Sequence, residues 1–160
     1  MSEWRRAVPA DAGRLTDLER DANLVALAHV FPPDAHPFPY AGVLERWRTV
    51  LLDDAVIVDV VEGADGLDAY VAHDASVLRH LAVRPTRWGQ RLAGDAVARA
   101  TAAGAGRLWC LADNARARGL YDHLGWRPTG LSRTADWSPY PVEIEYALGP
   151  TDRAPSASQR

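Results

Sequence analysis

Three arginines, Arg84, Arg87 and Arg91, surround one short turn, Trp88-Gly-Gln-Arg-Leu-Ala93. An apolar, β-compatible run from Ser76 to Val83 precedes it, stopped by Pro85, and a helix-compatible run from Leu92 to Ala103 follows it. The first amides of a helix have no intrahelical partner and carry partial positive charge. Small residues at such a turn let an anion reach the backbone. Strand, glycine turn and helix, ringed by full positive charges, therefore make a candidate phosphate site. A glycine in a strand-to-helix turn is more often only a turn, so a second signal is needed.

The bulk properties narrow the field. A chain of 160 residues fits one domain, read here as residues 1–149, followed by a polar tail, residues 150–160, expected to be disordered. Apolar and charged fractions of 48% and 24% are those of a soluble globular protein. A net charge of −3 argues against a nucleic-acid partner. Every basic residue is arginine, which removes lysine as a Schiff-base nucleophile. The lone Cys110 excludes an internal disulfide and a cysteine-rich zinc site, and no metal is expected. No signal peptide is read at the start, and no apolar run approaches membrane-spanning length. The expectation is a cytoplasmic protein with no membrane partner.

The elements around the turn follow from periodicity. Glu3 to Val8 reads as a short strand. Asp11 caps a helix whose core stripe is Leu15, Leu18, Ala22 and Val25. The prolines of Phe31-Pro-Pro-Asp-Ala-His-Pro-Phe-Pro-Tyr40 exclude helix and leave a stiff aromatic loop, suited equally to a connector or to one wall of a pocket. Val43, Leu44, Trp47, Val50 and Leu51 mark a second helix. Ala55 to Val61, Leu67 to Ala72 and Ser76 to Val83 read as three antiparallel strands joined by turns at Gly63-Ala-Asp-Gly66 and His73-Asp74. After the helix Leu92–Ala103, ended by Gly104-Ala-Gly106, the strand Arg107–Ala112 is apolar throughout, as if buried on both faces. It completes a parallel crossover. Cys110, mid-strand, reads as core filler. Asp113-Asn114 then caps a short helix with Ala117, Leu120, Tyr121 and Leu124 on its apolar side; Gly125 stops it, Trp126 opens a strand, and Val142 to Leu148 is the last.

That short helix carries the second signal. Asn114, Ala117, Leu120, Tyr121, Gly125 and Trp126 match the pattern Asn-x-x-Ala-x-x-Leu/Phe-Tyr-x-x-x-Gly-Phe/Trp. Together with the turn Trp88–Ala93, they make the chain resemble the GNAT superfamily of acyl-CoA-dependent N-acetyltransferases from Arg5 to about Gly149. The turn departs from the family's Arg/Gln-x-x-Gly-x-Gly/Ala: Trp88 stands for the usual Arg or Gln, and Arg91 for the first Gly. The resemblance implies an α/β fold with a mixed, mostly antiparallel sheet, helices on both faces, and strands Ser76–Val83 and Arg107–Ala112 splayed at one end. It implies acetyl-CoA as cofactor. Its pantetheine would run along the strand amides of Leu81 and Val83. Its pyrophosphate would lie over the turn from Trp88 through Gly89, Gln90 and Arg91 to Ala93, and Asn114 and Tyr121 would complete the site.

The implied reaction is transfer of an acetyl group to a primary amine in one complex, with no enzyme nucleophile. The amine must lose a proton, because an alkylamine of pKa ~10 is mostly protonated at neutral pH. The developing oxyanion needs a donor, by resemblance the Leu81 amide. The departing thiolate needs a proton, which by position in the motif comes from Tyr121. Both roles compete with plainer ones: Tyr121 as a packed aromatic, Asn114 as a helix cap. No general base stands out among His36, His80, Glu143 and Glu145, and a water chain would serve. By alternation along the strand, Arg79 faces the cleft with Leu81 unless the strand bulges, in which case His80 does. Arg79 in the cleft would suit a carboxylate on the acceptor. Phe38, Tyr40, Trp47, Trp137 and Tyr140 could line a pocket for a partly apolar amine, either a small molecule or a peptide. Arg91 is sterically allowed if its φ is helical. The competing reading is a non-catalytic acyl-CoA-binding or regulatory domain on the same fold. Dimers are common among such folds, though no residue here fixes one.

Overall fold

Apolar stripes at two periods build the described part of the chain, residues 3–149 of a computed structural model. The tail expected from 150 to 160 lies outside the described residues. The elements are β1 (Trp4–Arg6), α1 (Ala12–Ala26), α2 (Tyr40–Leu51), β2 (Ile57–Gly63), β3 (Gly66–His73), β4 (Val77–Val83), α3 (Leu92–Ala102), β5 (Arg107–Leu111), α4 (Ala115–His123), β6 (Trp126–Thr134) and β7 (Val142–Leu148). One sheet takes the order β1-β2-β3-β4-β5-β7-β6. Only β4 and β5 run parallel; the other neighbours are antiparallel. The mixed, mostly antiparallel sheet is the one expected.

Helices cover both faces. Leu15 and Leu18 of α1 and Val43, Trp47 and Val50 of α2 pack on Val58, Val60, Tyr70 and Ala72. On the opposite face, Ala96, Val97 and Ala100 of α3 and Tyr121 of α4 pack on Val71, Leu78, Leu108, Cys110 and Tyr146. Trp47 is fully buried, and truncating such a side chain costs about 3–5 kcal/mol. Cys110 is core filler, as read: burial pushes its thiol up to about 12. Gly104 closes α3 at φ 109, where a Cβ would lie 2.7 Å from the Ala75 carbonyl oxygen. Among the described residues no helix is long and apolar enough to cross a membrane.

Three expectations need correction. Val25 is 59% exposed, because the last turn of α1 directs Asn23 and Ala26 into a cleft and leaves Val25 on the other side. Leu124, at the end of α4, is exposed. β5 is buried on one face only: Leu108 and Cys110 are buried, while Trp109 and Leu111 are half-covered. The α1–α2 layer packs over β2 and β3, and Trp109 is covered instead by the Arg133 guanidinium, 4.3 Å from its ring.

The feature that positions the site is a bulge. Ala72 pairs with His80 but His73 pairs with Leu78, so Arg79 is an extra residue in β4. A bulge bends the strand and raises its twist, which disrupts pairing. β4 accordingly meets β5 only at Val77–Arg107 and Leu78–Leu108, although both strands continue. Beyond that point they separate.

Candidate active site

Beside the freed edge of β4 lies a cleft of about 530 Å3. Leu81, Ala82 and Val83 form one wall, the β4–α3 turn a second, Asn114 to His123 of the α4 region a third, and Ala22, Asn23, Ala26 and Leu27 the last. Arg84 donates its amide to Asp68 on β3, so the neighbouring Val83 groups point the other way, toward the cleft. Leu81, two residues earlier, shares that edge. Trp88 Nε1 donates to the Val83 carbonyl at 3.0 Å, so that acceptor is already occupied.

The turn takes its shape from Leu92. That side chain is buried among Val61, Ala69 and Val83. Reaching it from Pro85 requires a tight reversal, supplied by Gly89 at φ 83 and by Arg91 at φ 67, ψ 8. Arg91 is thus left-handed, not helical as its tolerance would require. A left-handed L-residue costs roughly 1–2 kcal/mol, whereas burying a leucine gains about 1.5–3 kcal/mol, so the burial wins. Arg91 is exposed and opens α3 with no side-chain cap. Arg87 pairs with Asp68 and donates Nε to Gln90 Oε1 at 2.6 Å.

The α4 side is built differently. Asn114 Oδ1 accepts from the Ala117 amide at 3.1 Å, so the residue does cap its helix. Tyr121 is buried, with its ring 6.2 Å from Trp126 and 5.8 Å from Tyr146. It also lines the cleft, and its hydroxyl has no hydrogen-bond partner among the described residues. Burial, followed by the Cys110 thiol, raises its pKa above the ordinary 10.0, which keeps the phenol protonated. Arg116 lays its guanidinium 3.7 Å from the Trp88 ring centre, a cation–π contact joining the two lips of the cleft. His29 Nε2 meets the Asp113 carbonyl at 2.8 Å and joins the α1 side to the α4 side.

The structure therefore brings Leu81, Val83, Trp88, Gly89, Arg91, Ala93, Asn114 and Tyr121 to one cleft. Gln90 is exposed and turned to Arg87. Sequence reasoning missed Arg116, the α1 residues Asn23 and Ala26, and Leu27 just after them. Arg116 falls on an unspecified position of the motif, and a helix face carries no mark of which cavity it will meet.

The acceptor residues scatter. Arg79 does not face the cleft: the bulge turns it out, and its Nε donates to Asp74 at 2.8 Å. Burial alone would raise the Asp74 carboxyl, but the Ser76 and Val77 amides and Arg79 outweigh it and hold it at about 2. His80, expected in the cleft if the strand bulges, does not line it: past the bulge it alternates with Leu81 and turns to the other face, 5.3 Å from the Trp47 ring. Burial, then Arg46 and Arg79, lower its pKa to about 3, leaving it neutral. Phe38 and Trp137 line a separate small cavity, with His36. Tyr40 donates to Asp17 at 2.7 Å, and Tyr140 is 60% exposed. Glu143 pairs with Arg133, while Arg107 and then Thr129 hold the Glu145 carboxyl below its ordinary range. Neither glutamate lines the cleft.

Solved structures share this architecture. The Escherichia coli protein YjaB in its apo form aligns with a TM-score of 0.70 at 15% identity, over 92% of this chain and 97% of that one. An acetyltransferase of the GNAT family from Streptococcus pneumoniae aligns at 0.59 and 17% identity, over 93% and 100%. An N-acetyltransferase from Thermoplasma acidophilum in complex with coenzyme A aligns at 0.60 and 12% identity, over 91% and 98%. No protein-family model and no curated protein matches the sequence. The fold of this chain is that of the GNAT acetyltransferases.

Proposed function

We propose that this chain is a GNAT-family N-acetyltransferase that moves the acetyl group of acetyl-CoA to a primary amine by direct attack in a ternary complex. The observation that carries this reading is that one cleft gathers both motif turns and an unpartnered, protonated Tyr121 hydroxyl. The cleft also fits the cofactor's chemistry. It offers the free edge of β4 to an amide-bearing chain and an uncapped helix start, flanked by Arg91 and Arg116, to phosphates.

Bound acetyl-CoA supplies the thioester whose acyl carbon the amine attacks. The Leu81 N–H, on the free edge, is the donor for the acyl oxygen. Tyr121 gives its proton to the sulfur as the carbon–sulfur bond breaks. The new nitrogen–carbon bond forms as the amine gives up one proton to water, and a proton from water restores the Tyr121 phenol, so the charges balance. His80, Glu143 and Glu145 stand away from the cleft, and the amine's proton leaves through water. Within a domain spanning residues 1–149, α1 and the proline loop supply the acceptor side.

The test is to incubate the purified protein with acetyl-CoA and a library of primary amines and to follow free thiol release. Amine-dependent thiol is the expected result. Coenzyme A binding without turnover of any amine would favour the non-catalytic reading.

A further inference from the structure

Beside the cleft lies a second cavity of about 50 Å3. Its walls are Leu24 of α1, Val43 of α2, Phe31 and Phe38 of the proline loop, and Trp137 between β6 and β7. Trp137 packs directly on α2, where a Cβ at Gly42 would lie 2.8 Å from its Cη2. His36 Nδ1 and Ser138 Oγ share a hydrogen bond of 3.0 Å that ties the proline loop to the β6–β7 connection. Asn23 lines both this cavity and the cleft, so the two spaces adjoin.

Every charged group at the cavity is already engaged. Glu19 accepts from Arg46 at 2.5 Å and from Trp47 Nε1 at 2.9 Å. Arg20 donates to Asp21 at 3.0 Å and lies 5.7 Å from the Tyr40 ring centre. A carboxylate or second ammonium entering here would lose water and find no unengaged charge to pair with, which is costly. An apolar group would only gain. A single water needs about 10–15 Å3 of such space, so the cavity takes a few heavy atoms.

We infer that this cavity receives the non-reacting end of the acceptor, and that the substrates are primary amines bearing a compact, neutral alkyl group. The inference rests on the acetyltransferase reading for the identity of the cleft. It replaces the carboxylate-bearing acceptor that Arg79 in the cleft would have favoured. Asn23, at the junction, is the positioning residue between the buried alkyl end and the reacting nitrogen.

The experiment compares ethylamine, isopentylamine, putrescine and glycine. Calorimetry on the coenzyme-A-supplemented protein reads binding without turnover, and thiol release from acetyl-CoA reads turnover. Isopentylamine should bind, and be used, roughly 10–100-fold better than ethylamine, the scale of a filled apolar pocket. Putrescine and glycine should show no such gain. Leu24→Trp, at an exposed position whose larger side chain fills the cavity, should bring the isopentylamine-to-ethylamine ratio toward one through KM. Equal or better binding of putrescine or glycine overturns the inference, as does an unchanged ratio in Leu24→Trp. Selective binding of isopentylamine with no thiol release supports the cavity and overturns only the acetyltransferase reading.

Discussion

Two helices begin on the same face of the sheet at opposite lips of one cleft, and they begin differently. α4 is closed by its own sequence: Asn114 accepts from the Ala117 amide. α3 opens on left-handed Arg91, whose side chain caps nothing. A helix start that caps itself is a structural end, whereas one left open with cationic side chains beside it is an end prepared for an anion. Under the proposed function the two ends divide the labour: α4 would carry the chemistry through Tyr121, and α3 would hold the cofactor.

The largest expected effect is on α4. Tyr121→Phe keeps the ring contacts with Trp126 and Tyr146 and removes the proton donor. kcat should fall about 10²–10⁴-fold with little change in coenzyme A affinity, as read by steady-state kinetics and calorimetry. Unchanged turnover would remove Tyr121 from the mechanism. The pH profile sharpens the same point. A phenol whose pKa is raised by burial remains a donor below that raised value, so turnover should climb as the amine deprotonates and show no fall up to pH ~10. A falling limb centred below that pH would contradict the protonated-donor role.

The next effect is on the caps. Asn114→Ala removes the bond to Ala117 and should cost about 1 kcal/mol in denaturant unfolding, without abolishing coenzyme A binding. Arg91→Gly should do the reverse on the other helix. Relief of the left-handed strain, offset by glycine's entropy, should stabilise the fold by up to about 1 kcal/mol. Loss of an exposed cation should weaken coenzyme A binding by about 1 kcal/mol at most. Effects of the same sign on stability and affinity would show that Arg91 is not the open end's charge.

These contrasts mark what the sequence could carry. The α4 cap and Tyr121 were legible because they sit in one local pattern whose spacing is set by the helix itself. The sheet was legible because strand alternation and helix periodicity are local too. The bulge at Arg79 was not: it is an offset between β3 and β4, and no residue in either strand announces it. That offset turns Arg79 out of the cleft without bringing His80 into it, and it separates β4 from β5. The left-handed turn at Arg91 was likewise hidden, because it is imposed by the burial of Leu92 against three strands. The second cavity is assembled from α1, α2 and two loops; the sequence marks the proline loop Phe31–Tyr40 and Trp137 as pocket walls, but not Asn23 or Leu24 of α1.

The most direct test of the open helix start is calorimetric titration with coenzyme A at low and at raised salt. Binding should be measurable and should weaken as salt screens the arginines around the turn. No detectable binding at millimolar coenzyme A would mean that left-handed Arg91 blocks the turn, and the acetyltransferase reading would have to be withdrawn.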